Sequence, residues 1–145
     1  MKIKVEHTES GDNEIILRCK ELDDEMLEIL SLLRDRTLKI VAKKEGEVFM
    51  LLPNQVFYVE AVDGNTFLYT EEFVFETHET LSQLEMRYED TGFIRIGKSQ
   101  LMNLHHVEKI KSLINSRIEV TLKNGEMLIV SRRYKQVLLN RLGIF

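Results

Sequence analysis

Ile118-Glu119-Val120-Thr121-Leu122-Lys123-Asn124-Gly125-Glu126-Met127-Leu128-Ile129-Val130 is the clearest fold signal in the chain. Ile118, Val120 and Leu122 alternate with Glu119 and Thr121, the period of a strand with one covered face. Asn124-Gly125 then supplies the pair that a type I′ turn requires, because both central residues of that turn take positive φ. The apolar run from Met127 to Val130 returns beside the first arm. The stretch predicts an antiparallel hairpin closed by a two-residue loop. Beyond it, Ser131 is suited to cap a final helix bearing Tyr134, Val137, Leu138 and Leu142, with Gly143 as its stop.

Working back towards the N-terminus, Phe93-Ile94-Arg95-Ile96 alternates again, and Gly97 is placed to allow a sharp bend. Thr80-Leu81-Ser82-Gln83 fits a capping box, and Leu81, Leu84 and Tyr88 follow at helical spacing. From Leu38 to Phe75 the signals are mostly strand. Val48 to Leu52 is apolar, Pro53-Asn54 interrupts it, and Val56 to Val62 follows. Asp63-Gly64-Asn65 is a turn, Thr66 to Thr70 resumes, and Phe73-Val74-Phe75 is a further short strand. Near the start, Ile3-Lys4-Val5 and Ile15 to Cys19 flank the turn Ser10-Gly11-Asp12-Asn13, which predicts a small hairpin. Asp23 to Arg36 reads as a helix, acidic at its start and basic at its end, with an apolar stripe of Met26, Leu27, Leu30 and Leu33. The fold class is mainly β with short helices. No β-α-β alternation is present, which argues against a parallel nucleotide-binding sheet.

With 145 residues, 43% of them hydrophobic and 30% charged, the chain is sized for one domain plus a short extra element and is neither disordered nor fibrous. The longest apolar run, Val48 to Leu52, is far short of the ~20 residues that span a bilayer, so no membrane insertion is expected. The opening MKIKVEHTES lacks the apolar core of a secretory signal, and Cys19 stands alone. Both favour a cytoplasmic protein. The net charge of −4 conceals a gradient. Residues 1–45 carry −2, residues 46–92 carry −9 and residues 93–145 carry +7. A basic final third after an acidic middle suits a polyanion-binding face, although solvated surface has the same composition.

No catalytic constellation stands out. His105-His106 lack ligand-spaced partners, His7 and His78 are isolated, and no phosphate-binding glycine loop or nucleophile motif is present. Cys19 falls in an expected strand with no base beside it and reads as a buried thiol. Glu71, Glu72, Glu76 and Glu79 read as a solvated acidic face. No enzyme, metal or cofactor is expected. Two basic spots remain. Lys98 and Ser99 sit at a strand end, where donors reach phosphates or base edges. Ser131-Arg132-Arg133 puts two arginines at a helix start, against the dipole, where a bound anion would offset the clash.

Several of these pieces in order resemble the LytTR DNA-binding domain of bacterial response regulators. They are Val56 to Ala61 with the Asp63-Gly64-Asn65 turn, then Glu79-Thr80-Leu81 with Leu84-Glu85, then Phe93 to Leu104 through Gly97-Lys98-Ser99-Gln100. Lys123-Asn124-Gly125 and Val130-Ser131-Arg132-Arg133-Tyr134 complete the series. The resemblance covers about residues 38–142. It implies small antiparallel sheets and DNA reading through loops in successive major grooves. It also implies contacts from Asp63, Gly64, Asn65 and Thr66, from Lys98 with Ser99 and Gln100, and from Ser131, Arg132 and Arg133. Where the family usually has His-Arg-Ser, this chain has Gly97-Lys98-Ser99, and lysine is a poorer bidentate reader, which directs Lys98 to phosphate.

The sequence thus divides into residues 1–37, a hairpin-and-helix extension with a regulatory or assembly role, and residues 38–145, the DNA-binding domain. The extension is too short for a phosphoacceptor receiver, so a stand-alone regulator of transcription is expected. Its partners would be double-stranded promoter DNA with repeated half-sites, a second copy in a homodimer and, by resemblance, a membrane-protein inhibitor. The competing reading is a β-rich protein-interaction or ligand-sensing module whose basic patch meets an acidic partner.

Overall fold

The structure is a computed structural model that describes residues 1–11, 13–37 and 39–144, with no side chains described for residues 34–37. The chain divides into two units, Met1–Arg34 and Asp35–Phe145.

In the first unit the expected hairpin does not form. None of the described residues between 1 and 22 is in a strand, and nearly all are exposed, Cys19 included. Alternation over three residues at Ile3 to Val5 offers too little apolar face, and a lone two-stranded hairpin is marginal in water. The helix does form, as α1 (Asp24–Thr37). Asp23 caps it: its Oδ1 accepts the Met26 N–H at 2.9 Å and its carbonyl accepts the Leu27 N–H at 3.0 Å.

In the second unit the described residues form ten strands and two α-helices. In chain order they are β1 (Ile40–Lys44), β2 (Glu47–Leu51), β3 (Tyr58–Val62), β4 (Asn65–Tyr69), β5 (Val74–Thr77), α2 (Leu81–Arg87), β6 (Phe93–Gly97), β7 (Gln100–Asn103), β8 (Val107–Ser112), β9 (Ile118–Leu122), β10 (Met127–Val130) and α3 (Lys135–Arg141). The strands are short, yet seven of them pair into one sheet in the order β2-β1-β5-β4-β3-β7-β6, and three make a second sheet, β10-β9-β8. Every pairing is antiparallel.

Part of the large sheet is covered on both faces, and the alternation of its strands shows it. Val59, Phe93 and Leu101 belong to a core with Leu81, Leu84 and Tyr88 of the α2 region. Their strand neighbours Tyr58, Ile94 and Met102 join Ile118, Val120 and Val130 of the second sheet and Leu138 of α3. Strands β3, β6 and β7 are thus sandwiched. The α2 capping box is formed as expected, with Thr80 Oγ1 accepting the Gln83 N–H at 3.2 Å and Gln83 Oε1 accepting the Thr80 N–H at 2.8 Å.

The two-residue loop expected at Asn124-Gly125 forms instead at Asp63-Gly64. Asp63 (φ 50°) and Gly64 (φ 80°) close β3–β4 between the paired Val62 and Asn65, the two-residue loop with two left-handed residues. At Asn124-Gly125 only Gly125 is left-handed (φ 89°). The Gly125 N–H bonds Leu122 O at 2.9 Å and the Leu122 N–H bonds Glu126 O at 2.8 Å, so three residues make the loop. Asn124 is instead occupied locally, its Oδ1 accepting the Glu126 N–H at 3.1 Å. The two arms do pair, but one position off the register that a two-residue loop sets, with Ile118 opposite Val130 and Thr121 opposite Met127.

Candidate nucleic-acid interface

Antiparallel pairing decides which loops share an end. Glu60 pairs with Gln100, and the Ala61 N–H donates to Ser99 O at 2.9 Å, so the β3–β4 turn and the β6–β7 turn leave the same end of the large sheet. The Ser131 N–H donates to Ile96 O at 2.9 Å, fixing the chain after β10 to the last turn of β6. Three segments singled out in the sequence, 63–66, 98–100 and 131–133, therefore converge, although up to 70 positions separate them.

Their side chains are not equally available. Asp63, Gly64, Asn65, Lys98, Ser99, Arg132 and Arg133 are exposed, while Gln100 and Ser131 are partly covered. Thr66 departs from expectation. Its side chain is 7% exposed, because it stands on the same face of β4 as the buried Leu68. The surface positions of that turn are Asp63, Gly64 and Asn65.

Gly97 also departs from its expected role. It ends β6 without a left-handed φ, and a Cβ there would meet nothing within 4 Å. The direction of the turn comes from a bulge between Arg95 and Gly97 and from the Arg95 side chain. Arg95 Nε donates to Gly97 O at 3.0 Å, one terminal nitrogen donates to Lys98 O at 3.0 Å, and the other meets Glu85 Oε1 of α2 at 3.2 Å. The guanidinium binds the turn's carbonyls, Glu85 offsets its charge, and the Lys98 side chain is exposed.

Ser131 is not a side-chain cap. Arg132 to Tyr134 form a 3-10 turn ahead of the seven-residue α3, and no side-chain bond closes its start. The case for anion binding therefore rests on guanidinium groups and on shape. Asn115, Arg117, Ser131, Arg132 and Arg133 line an open depression of about 540 Å³. Asn115 and Arg117 carry no motif of their own. The signal that finds them is the hairpin register, since Val130 opposite Ile118 sets Ser131 beside Arg117.

At the other end of the sheet the lining changes. Asn54, Gln55, Thr70, Glu71, Glu72, Phe73, His106 and Lys123 are among the residues around a second depression of about 530 Å³. Glu71 and Glu72 are exposed there, away from the arginines. His106 lies in a 3-10 turn, stacked on Phe57 at 3.9 Å with its Nε2 2.5 Å from Asn54 O. Among the described residues no group of acidic, histidine or cysteine side chains is arranged to hold a metal, and no helix is long and apolar enough to cross a membrane.

The chain is similar to bacterial signalling and regulatory proteins. It is 29% identical over 106 residues to the sensory transduction protein LytT of Bacillus cereus, covering 73% of this chain and 43% of that protein. It is 29% identical over 90 residues to the transcriptional regulatory protein LytR of Staphylococcus aureus, covering 62% of this chain and 37% of that one. The chain spans about two fifths of the length of the curated relatives it matches. A solved LytTr DNA-binding domain from Bacillus cereus superposes with a TM-score of 0.69 at 25% identity, covering 73% of this chain and 97% of that one. The family model of the LytTr DNA-binding domain matches residues 46–143, which includes the basic loops, the small sheet and all of the large sheet except β1, and the chain belongs to that family.

Proposed function

We propose that this protein is a transcription regulator that reads double-stranded DNA with the basic end of its large sheet. The observation that carries the reading is the convergence of the β3–β4 turn, Lys98 and Arg132-Arg133 on one end, around an arginine-lined depression. Arg132 and Arg133 offer planar forks suited to guanine O6 and N7 or to a phosphate. Lys98, a point charge at a braced turn, suits phosphate. Asn65 is exposed and carries the amide that pairs bidentately with adenine. The names of the relatives favour regulation as the use of this binding.

The same proposal assigns residues 1–37 no base contact. Their net charge is −4, which repels a duplex and suits protein contact with a second copy or an inhibitor in the membrane. The sequence carries no nucleophile–base motif or metal-ligand spacing that would motivate catalysis. A cytoplasmic location follows from DNA as the ligand.

The test is a salt titration of duplex binding. Each phosphate neutralised by Lys or Arg should steepen the fall of log K with log salt by about 0.9. A protein that binds no duplex even at low salt would sink the reading.

A further inference from the structure

The β8–β9 connection, Leu113 to Arg117, is built differently from the other turns of the molecule. Glu45-Gly46 and Asp63-Gly64 close their hairpins with two residues, each with glycine at the second left-handed position. The β8–β9 loop needs more chain and places two successive non-glycine residues, Asn115 (φ 68°) and Ser116 (φ 60°), in the left-handed region. The Leu113 N–H holds it closed on Arg117 O at 2.8 Å. Joining two adjacent strands does not require this shape, and strained backbone of this kind collects at working surfaces. The loop raises Ile114 to 85% exposure next in the chain to Asn115, and Asn115 and Arg117 line the same depression as Arg132 and Arg133.

We propose that this loop is a further DNA-contacting segment, with Arg117 on a backbone phosphate and Ile114 against a thymine methyl group. The inference rests on the DNA reading above and deepens it. The chemistry matches the residues present. A guanidinium beside two others favours a polyanion, and the one feature of a major groove that rewards an exposed aliphatic side chain is the C5-methyl of thymine. The loop thereby adds an A·T preference beside the positions read by Arg132 and Arg133.

The experiment uses the full chain and a duplex selected by the parent protein from a random-sequence pool. Each thymine is replaced in turn by uracil, which removes only the methyl group. The parent should lose about fourfold in affinity at one position, the worth of one buried methyl. Ile114→Ala should show a similar loss on the thymine duplex and no further loss at that position with uracil. Arg117→Ala should weaken specific and random duplexes alike and lower the salt slope by about one. Both side chains are exposed, so thermal midpoints should match the parent. Retained thymine discrimination in Ile114→Ala, or no thymine preference in the parent, overturns the methyl contact, and an unchanged slope in Arg117→Ala overturns the phosphate contact. Arg132→Ala and Arg133→Ala run alongside. If they weaken binding while the loop variants do not, the loop inference alone fails. If they too bind as the parent does, the DNA reading of this end fails with it.

Discussion

The two ends of the large sheet carry depressions of nearly equal size, about 540 and 530 Å³, with opposite charge. One is lined by Arg117, Arg132 and Arg133. The other has Glu71 and Glu72, with Lys123 as its cation among the lining residues. Shape alone does not distinguish them. Charge does, and it reproduces in space the gradient read along the chain, −9 over residues 46–92 and +7 over residues 93–145. The ends also differ in how they are held. The acidic end is anchored by a buried amide, since Asn103 Nδ2 donates to Pro53 O at 3.2 Å and to Val56 O at 3.0 Å, and its Oδ1 accepts the His105 N–H at 3.0 Å. The basic end is held at its rim by Arg95, with Lys98 and the arginines left exposed. One end is organised for stability and the other for contact.

Breaking the acidic end should give the largest effect, on folding. Asn103→Ala removes the amide donor from the Val56 carbonyl and the acceptor from the His105 N–H, and leaves the Pro53 carbonyl with the Val56 N–H alone, at a cost of roughly 2–4 kcal/mol. Denaturant unfolding should record that loss, while the folded fraction keeps the parent's ratio of specific to random DNA binding. A change in that ratio would show the two ends to be coupled.

At the basic end the effect moves to binding. Arg132→Ala should cost roughly 1–3 kcal/mol and blur preference at one base position, as loss of a bidentate guanine contact does. Lys98→Ala should weaken all duplexes more evenly and reduce the salt slope by about one. Neither should shift unfolding by more than ~0.5 kcal/mol, because both side chains are exposed. Full-strength specific binding by a folded Arg132→Ala protein would remove that residue from the reading head.

A smaller effect lies in the core shared by neither end. Burial holds the Tyr88 phenol up at about 12 against an ordinary value near 10, and it raises Tyr58 as well. The folded state therefore favours the neutral phenol. That contribution is complete below pH 10 and is lost as pH rises through 12. Tyr88→Phe should make the alkaline fall shallower, at a cost near neutrality of about 1 kcal/mol for the lost hydrogen bond from its hydroxyl to Lys39 O. An alkaline limb identical to the parent's would assign the titration elsewhere. Smallest of all, Glu71→Gln with Glu72→Gln should raise binding to every duplex slightly through the overall field and leave base preference unchanged.

Local chemistry was legible in the sequence where a few neighbouring residues decide the outcome. The Thr80–Gln83 capping box, the Asp23 helix start and the two arms of the Ile118–Val130 hairpin all have that character. The type of the Lys123–Gly125 loop was misjudged because Asn124 bonds Glu126 rather than turning left-handed. β7 and β8 were not singled out as strands. Val107 to Ser112 is only partly covered on the rim of the small sheet, and its apolar signal is correspondingly thin. The N-terminal strands were over-read, since alternation without a covering surface does not make a strand. In the candidate interface, Lys98, Arg132 and Arg133 were visible as charges. Arg117 and Asn115 were not, because their importance arises only when β9 lies against β10. Arg95 looked like an alternating polar residue, and only the bulge turns its fork onto the loop.

The Arg95 fork has a thermodynamic consequence for encounter with a ligand. A turn whose carbonyls already have donors has few conformations left to lose. The ordering of the Gly97–Ser99 backbone is completed during folding, so it need not be repeated each time a partner arrives. What remains to be immobilised is the flexible stem of Lys98. Association at this turn should then be governed by diffusion and by the electrostatic field rather than by a conformational search. Lysine at a rigid mount gives a fast, forgiving contact, where an arginine would add a narrower angular demand.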